Sequence, residues 1–294
     1  MKVEFLHIGL HKTASTWLQQ KVFDQHPELF VFHHGTRHRD SHHVMMQIYR
    51  TATGMFDAEQ WWRAFERETD DLDLSGRKVG VSYEILAGDM IHARDTMTLA
   101  RRCRKLFGEV KVILVLRHPV DYVGSMYQQY VQQGGALTLR MLLQDVNLPG
   151  QEITHKLNYQ DLIRMQREVY GAENVLVLPF ELMRDDRLEF LRRIWDHIGV
   201  QEPDGLDVFQ QVRESLTLPS LCLTRLLNAL GVPKQASRGR IRRYVEPAMR
   251  KLTKRKFRTS RAQLIRFQPK LETVLQADNY RIWTDELERY NYTF

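Results

Sequence analysis

The chain has 294 residues, of which 43% are hydrophobic and 27% charged, a composition typical of a globular protein. No apolar run approaches the length of about 20 residues that a membrane-spanning helix needs. Met1 stands directly before the first predicted strand, which leaves no room for a signal peptide, so we expect a cytoplasmic protein. The two cysteines, Cys103 and Cys222, are far apart and argue against a disulfide framework or a cysteine-rich zinc site.

The net charge of +7 is concentrated in one segment. Residues 234–261 contain twelve lysines and arginines and one acid, so the segment carries +11 and the remainder of the chain −4. Such a basic segment suggests a solvated helix face, a groove for an acidic glycan, a lid over a bound cofactor or a peripheral contact with a membrane. Its aromatic residues, Tyr244 and Phe257, are too sparse for stacking on nucleic-acid bases, so we expect no nucleic-acid partner.

The first motif follows a predicted strand at Val3 to Ile8. A tight loop comes next, and then an apolar-periodic helix begins near Trp17. Backbone N–H groups at such a helix start, a lysine and several hydroxyls would together hold a phosphate or sulfate. The lysine and hydroxyl residues are Lys12, Thr13, Ser15 and Thr16. The alternative is an ordinary turn with Ser15 or Thr16 as the helix N-cap.

Later elements alternate between strand and helix patterns. Strands are predicted at 29–32, 78–82, 110–117 and 174–179, and helices at 58–69, 96–107, 159–170 and 186–198. This alternation predicts an α/β fold with a mainly parallel central sheet of about five strands flanked by helices. After Pro203 the strand patterns end, and helices are predicted at 216–230, 263–275 and 284–290. We therefore expect an α/β core over 1–202 and a helical extension over 203–294 packed on it, as one domain.

Residues 33–43 contain five of the twelve histidines. No cysteine and no HExxH spacing accompanies them, so we predict no bound metal and a polar loop that is either solvated or lines a substrate entrance.

Two further strand ends carry polar residues. Glu84 follows the strand at 78–82, at the sheet edge that faces the ligand crevice in open α/β proteins. Its position fits a site carboxylate and a helix-opening acid equally well. Arg117 ends the next strand, and Ser125 lies about two turns into a helix that starts at Pro119. The pair could bracket an anion, although a surface ion pair and a solvent-facing serine would give the same pattern.

Three stretches together resemble the sulfotransferases that use 3′-phosphoadenosine 5′-phosphosulfate (PAPS), particularly the bacterial branch related to carbohydrate sulfotransferases. Residues 9–19 are similar to the 5′-phosphosulfate loop of that family, Lys-(Ser/Thr)-Gly-(Ser/Thr)-Thr-x-Leu. Residues 116–125 resemble its 3′-phosphate motif, and residues 175–199 resemble a later strand and amphipathic helix. The resemblance covers about residues 1–230 and implies a P-loop-type fold.

The resemblance also implies site residues. The 5′-phosphosulfate would be held by His11, Lys12, Thr13, Ala14, Ser15 and Thr16. Arg117 and Ser125 would hold the 3′-phosphate, and Trp17 would stack on adenine or serve the core. The segment 212–216 would return to the cofactor.

The implied reaction is sulfuryl transfer from PAPS to an acceptor hydroxyl, most suitably on a carbohydrate or glycoconjugate. Glu84 would act as general base, and Lys12 would stabilise the leaving phosphate of adenosine 3′,5′-bisphosphate (PAP). The reserve candidates for the base are His7, His11 and the histidines of 33–43.

Ala14 departs from the family pattern, because most relatives carry glycine there. Alanine tolerates a positive φ poorly, so the loop is expected to be right-handed at this residue or strained.

Two competing functions remain. A nucleotide kinase or NTPase would need the Walker A glycines, which are missing before Lys12, and an aspartate where the strand at 110–117 ends in arginine. A polyanion-binding module would instead use residues 234–261.

Overall fold

The computed structural model describes residues 1–34, 39–67, 69–88, 96–145, 157–203, 205, 217–231 and 257–275. These residues form two compact units. The first contains the described residues of 1–117 and 158–212, and the second contains those of 118–157 and 213–276.

A five-stranded sheet forms the centre of the first unit. Its strands are β1 (Phe5–His7), β2 (Leu29–His33), β3 (Lys78–Ser82), β4 (Lys111–Leu116) and β5 (Val175–Pro179). All neighbouring strands are parallel, in the order β2-β3-β1-β4-β5. The predicted α/β fold with about five parallel strands is confirmed. Near-continuous apolar runs such as that of β4 suit strands that are buried on both faces.

The described residues contain twelve α-helices. They are α1 (Ser15–Trp17), α2 (Arg39–Arg50), α3 (Ala58–Arg67), α4 (Thr96–Phe107), α5 (Pro119–Gln132), α6 (Leu139–Asp145), α7 (Tyr159–Tyr170), α8 (Phe180–Asp185), α9 (Arg187–Ile198), α10 (Leu218–Ala229), α11 (Arg261–Phe267) and α12 (Leu271–Val274). Short 3₁₀ turns lie at Phe23–Gln25, Thr53–Met55, Glu84–Ala87 and Ala172–Asn174.

Two predicted elements differ from the structure. The polar loop predicted over 33–43 is wrong at both ends, because His33 belongs to β2 and α2 begins at Arg39. The helix predicted over 263–275 is divided into α11 and α12. Pro269 lies between them, and proline cannot donate the backbone hydrogen bond that a continuous helix would need. The helix predicted at 284–290 lies outside the described residues.

The helical segment after the first loop packs against the sheet. It consists of α1, a π-helical turn at Leu18–Val22 and the 3₁₀ turn at Phe23–Gln25. The ring of Phe23 lies 5.8 Å from that of Phe5 in β1 and 6.4 Å from that of Trp195 in α9, centroid to centroid. These contacts anchor the residues immediately after the loop in the core.

The ring of Phe5 in β1 lies directly against Gly80 in β3. A Cβ atom at this position would lie 2.2 Å from that ring, so any larger residue would push Phe5 out of place. Glycine here therefore serves close packing between β1 and β3.

The second unit is helical in its described part. The Asn228 amide of α10 donates hydrogen bonds to the carbonyls of Val131 and Gly135, each at 2.8 Å. The Gln268 amide donates to the Leu143 carbonyl at 3.0 Å. Among the described helices of the whole chain, none is both long and apolar enough to cross a membrane.

Candidate active site

The first loop starts at the carboxyl edge of the sheet. Beyond β1 the chain still follows β4, with the Ile8 N–H donating to the Ile113 carbonyl at 3.0 Å and the Leu10 N–H to the Val115 carbonyl at 3.1 Å. The loop proper therefore begins at His11, which is partly exposed. This is the edge at which open parallel sheets bind ligands.

The backbone of the loop is left-handed at two non-glycine residues. Lys12 has a φ of 69° and Ala14 a φ of 63°, with Thr13 between them outside this region. Of the two conformations expected for Ala14, the structure thus contains the strained one. Alternating signs of φ turn successive N–H groups toward one side, as in anion-binding nests. The loop therefore has the backbone pattern of such nests, with an alanine where the motif that it resembles has glycine.

The hydroxyls of the loop have different roles. Thr13 is buried, and its Oγ1 donates to the Leu10 carbonyl at 2.5 Å, which closes the loop on itself. The Oγ of Ser15 is also buried but has no hydrogen-bond partner among the described residues. A buried hydroxyl without a partner is costly unless a ligand or water satisfies it. An oxygen of a phosphosulfate group at the loop would meet that need, so the residues present fit such a group.

Lys12 and Thr16 are both partly exposed. The positive charge of Lys12 is carried on the left-handed part of the loop.

Arg117 joins the end of β4 to the loop. Its Nη1 donates to the Lys12 carbonyl at 3.1 Å, and its guanidinium carbon lies 4.6 Å from the centroid of the Phe180 ring. The Tyr159 hydroxyl donates to the carbonyl of Arg117. Arg117 is thereby held from three sides and itself holds a left-handed residue of the loop.

Sequence reasoning missed Phe180 and Tyr159 as partners of Arg117. Phe180 directly follows β5, and β5 is the neighbour of β4. The rule that parallel strand ends share an edge could therefore have identified Phe180. No comparable sequence signal points to Tyr159.

Trp17 lies in the core cluster and is only 6% exposed. The guanidinium carbon of Arg187 lies 5.3 Å from the centroid of its indole ring. The core role expected as one alternative for Trp17 is thus present. Stacking of adenine on the same ring face would require Arg187 to move.

Glu84 is the first residue of the 3₁₀ turn after β3 and is partly exposed. β3 is the direct neighbour of β1, with His7 opposite Ser82 in register. Glu84 and the loop therefore leave the sheet from adjacent strands at the same edge. Glu84 opens a helical turn, as one of the two sequence interpretations expects, and its role as a site carboxylate stays a prediction.

Two of the histidines that are reserve candidates for the base are buried, whereas Glu84 is partly exposed. His7 is fully buried, and this burial lowers the pKa of its imidazole to about 3, so the ring is neutral. His33 is also buried and contacts the Asp24 carboxylate at 2.9 Å. The described residues contain no group of three or more metal-binding side chains.

Ser125 lies in α5 and is buried. It belongs to the second unit, whereas Arg117 belongs to the first, so their shared 3′-phosphate site remains a prediction. The segment 212–216 and most of the basic segment, residues 234–256, lie outside the described residues.

The sheet topology defines an α/β protein with a parallel central sheet, whose first loop leaves the sheet at its carboxyl edge. The sulfotransferase family model matches residues 5–204, and the chain belongs to this family. It is therefore an enzyme of the sulfotransferase type, which transfers sulfuryl groups. A comparison with curated proteins finds no significant match.

A solved sulfotransferase shares the fold, and two others are weaker matches. A sulfotransferase from Alicyclobacillus acidocaldarius is 19% identical, with a TM-score of 0.54, and the match covers 81% of this chain and 99% of that one. The sulfotransferase domain from the curacin biosynthetic pathway is 13% identical, with a TM-score of 0.48 and coverages of 72% and 79%. Mouse sulfotransferase SULT7A1, complexed with PAP, is 13% identical, with a TM-score of 0.39 and coverages of 98% and 83%.

Proposed function

We propose that this enzyme transfers the sulfuryl group of PAPS to a hydroxyl of a carbohydrate or glycoconjugate. The observation that carries the proposal is the loop after β1. It combines a left-handed, anion-shaped backbone with the charge of Lys12 and the buried, unsatisfied hydroxyl of Ser15. Membership of the sulfotransferase family supports PAPS as the donor.

Residues 11–16 would hold the 5′-phosphosulfate end of the donor. Ser15 has a hydroxyl available to an incoming oxygen, whereas the Thr13 hydroxyl proton is engaged by the Leu10 carbonyl. Thr13 would thus act mainly by shaping the loop. Arg117 and Ser125 would hold the 3′-phosphate, as the resemblance to the family implies.

The donor supplies an activated sulfuryl group, and the protein supplies position and charge. Glu84 would accept the proton of the acceptor hydroxyl as its oxygen forms a bond to sulfur. The bond between sulfur and the phosphate oxygen breaks at the same time, and PAP leaves. Lys12 would neutralise the charge that develops on that phosphate oxygen.

The carbohydrate acceptor rests on two features of the sequence. Ser82 and Glu84 resemble a Ser-x-Glu segment of glycan-acting relatives, and the basic segment 234–261 would suit an acidic glycan.

The proposal is tested by donor binding and by transfer. Calorimetric titration should show binding of PAP with at least tenfold preference over ATP. Incubation with ³⁵S-labelled PAPS and a panel of oligosaccharides, glycolipids, phenols and small alcohols should label a carbohydrate. Preference for ATP would favour a nucleotide kinase or NTPase. Labelling confined to phenols or small alcohols would refute the carbohydrate acceptor and leave the donor assignment standing.

A further inference from the structure

Ser82 is the last residue of β3 and forms hydrogen bonds to the residues on both sides of the first loop. Its Oγ lies 2.7 Å from Nδ1 of His7, which precedes the loop. Nε2 of Gln19, which follows the loop, donates to the Ser82 Oγ and to the Ser82 carbonyl, both at 3.0 Å. All three side chains are buried.

One arrangement that the donors and acceptors of this cluster allow uses the Ser82 hydroxyl as both acceptor and donor. The Ser82 Oγ accepts a hydrogen bond from Gln19, so its own proton is available for Nδ1 of His7. A neutral imidazole that accepts at Nδ1 carries its proton on Nε2. This Nε2 is buried and has no hydrogen-bond partner among the described residues.

The His7 ring also packs directly on the loop. A Cβ atom at Gly9 would lie 2.8 Å from Nε2 of His7 and 3.0 Å from Oγ1 of Thr13. Any side chain at Gly9 would therefore displace the ring or the threonine that closes the loop. The imidazole fits against the loop backbone only because residue 9 is glycine.

We propose that Ser82, together with His7 and Gln19, is a positioning cluster that sets the loop relative to Glu84. Glu84 lies two residues beyond Ser82. The three hydrogen bonds join the residues on both sides of the loop, His7 and Gln19, to Ser82 at the end of β3. Buried hydrogen bonds of this kind are directional and costly to break. An error of about 1 Å in the position of a reacting group can lower a rate by about 10²-fold. The catalytic part of this inference rests on the proposed function, in which Glu84 is the base.

The first test uses the protein without nucleotide. Ser82→Ala and Gln19→Met each remove hydrogen bonds of the cluster, and Gln19→Met does so with little change of volume. Amide hydrogen exchange of residues 9–16 and 83–87 should become at least tenfold faster in both variants. Thr69→Val is the matched control, because it removes another buried hydroxyl, which donates to the Phe65 carbonyl at 2.9 Å. Unchanged exchange in the two segments, or equal acceleration in the control, would overturn the proposal.

The second test uses turnover of ³⁵S-labelled PAPS. Ser82→Ala should lower kcat by about tenfold or more, and in a Glu84→Gln background it should lower kcat little further, since both changes act through one group. If Ser82→Ala lowers kcat by the same factor in the Glu84→Gln background as in the wild type, Ser82 does not act through Glu84 and the inference is refuted. If the wild-type enzyme does not turn over PAPS, the proposed function fails, and the exchange experiment still decides whether the cluster holds the loop.

Discussion

The left-handed conformation of Ala14 predicts an unusual order of stability for substitutions at this residue. A left-handed φ costs a residue with a Cβ about 1–2 kcal/mol. Glycine avoids that cost, but it gains about 0.4–1 kcal/mol of freedom in the unfolded chain and loses the packing of a half-buried methyl, about 0.4 kcal/mol. Ala14→Gly should therefore stabilise the protein slightly, by about 0.5 kcal/mol. Ala14→Val should destabilise it by about 2 kcal/mol, because a β-branched side chain is poorly tolerated at positive φ.

Thermal unfolding of the two variants without nucleotide measures this order. The glycine and valine variants should differ by about 2.5 kcal/mol, or about 5–10 °C in melting temperature for a unit of this size. Ala100→Gly, in the interior of α4, is the control. It should lower stability by about 1 kcal/mol or more, since glycine is unfavourable inside a helix. If Ala14→Gly behaves like the control and Ala14→Val is nearly neutral, residue 14 is right-handed and the strain argument fails.

Four further outcomes follow from the site. Lys12→Ala should lower turnover of ³⁵S-labelled PAPS by about 10²–10³-fold, because it removes the charge opposite the leaving phosphate, and near-normal turnover would contradict the assignment. Glu84→Gln should lower turnover by about 10²-fold or more while calorimetry shows PAP affinity within about twofold of wild type. Arg117→Ala should weaken binding of adenosine 5′-phosphate by about tenfold as well as that of PAP, since it frees the Lys12 carbonyl. A loss confined to PAP would mean that Arg117 serves only the 3′-phosphate. Urea unfolding should show that the free energy of unfolding falls as the pH drops from about 6.5 toward 3. In this range His7 is protonated in the unfolded chain but stays neutral in the folded protein, where burial lowers its pKa to about 3. His7→Gln should flatten this slope by up to about 1.4 kcal/mol per pH unit, and an unchanged slope would show that His7 is protonated normally.

The sheet could be predicted because its signals are local. β3 has the predicted bounds, β4 is one residue shorter than predicted at each end, and β5 begins one residue later than predicted. Each of these strands is a short apolar run followed by a polar or turn-forming residue, and helices separate them. A run of this kind, in an alternating chain, has few alternatives to a buried parallel strand.

The loop predicted for the histidine-rich residues 33–43 is wrong because a polar sequence can also form a helix, as residues 39–43 do in α2. Residues 39–43 are mostly charged or histidine, so they lack the apolar spacing that indicates a core-facing helix. The apolar residues of α2, such as Met45 and Ile48, come only later and are buried. Met45 and Ile48 thus supply a buried apolar signal in α2, and Met45 lies six residues after the helix begins at Arg39.

The loop was located from sequence, but the contacts that hold it were not. The spacing of Lys12 and its hydroxyl neighbours is visible in thirteen consecutive residues, 7–19. Arg117 is 105 residues away from its partner Lys12 in the loop, and Ser82 is 63 residues away from its partner Gln19, which follows the loop. Contacts across such separations depend on strand order, which local patterns do not specify.

The strain in the loop and the bonds around it have a common explanation. Non-glycine residues persist in left-handed conformations only where their surroundings leave no alternative. Here the Thr13 hydroxyl closes the loop on Leu10, Arg117 holds the Lys12 carbonyl, and Gln19 fixes the following helical turn to Ser82. A glycine at residue 14 would reach this shape without strain, but it would also admit other shapes when the loop is empty. Alanine admits fewer, so the buried bonds and the methyl group together restrict the empty loop to the shape that the proposed anion would need.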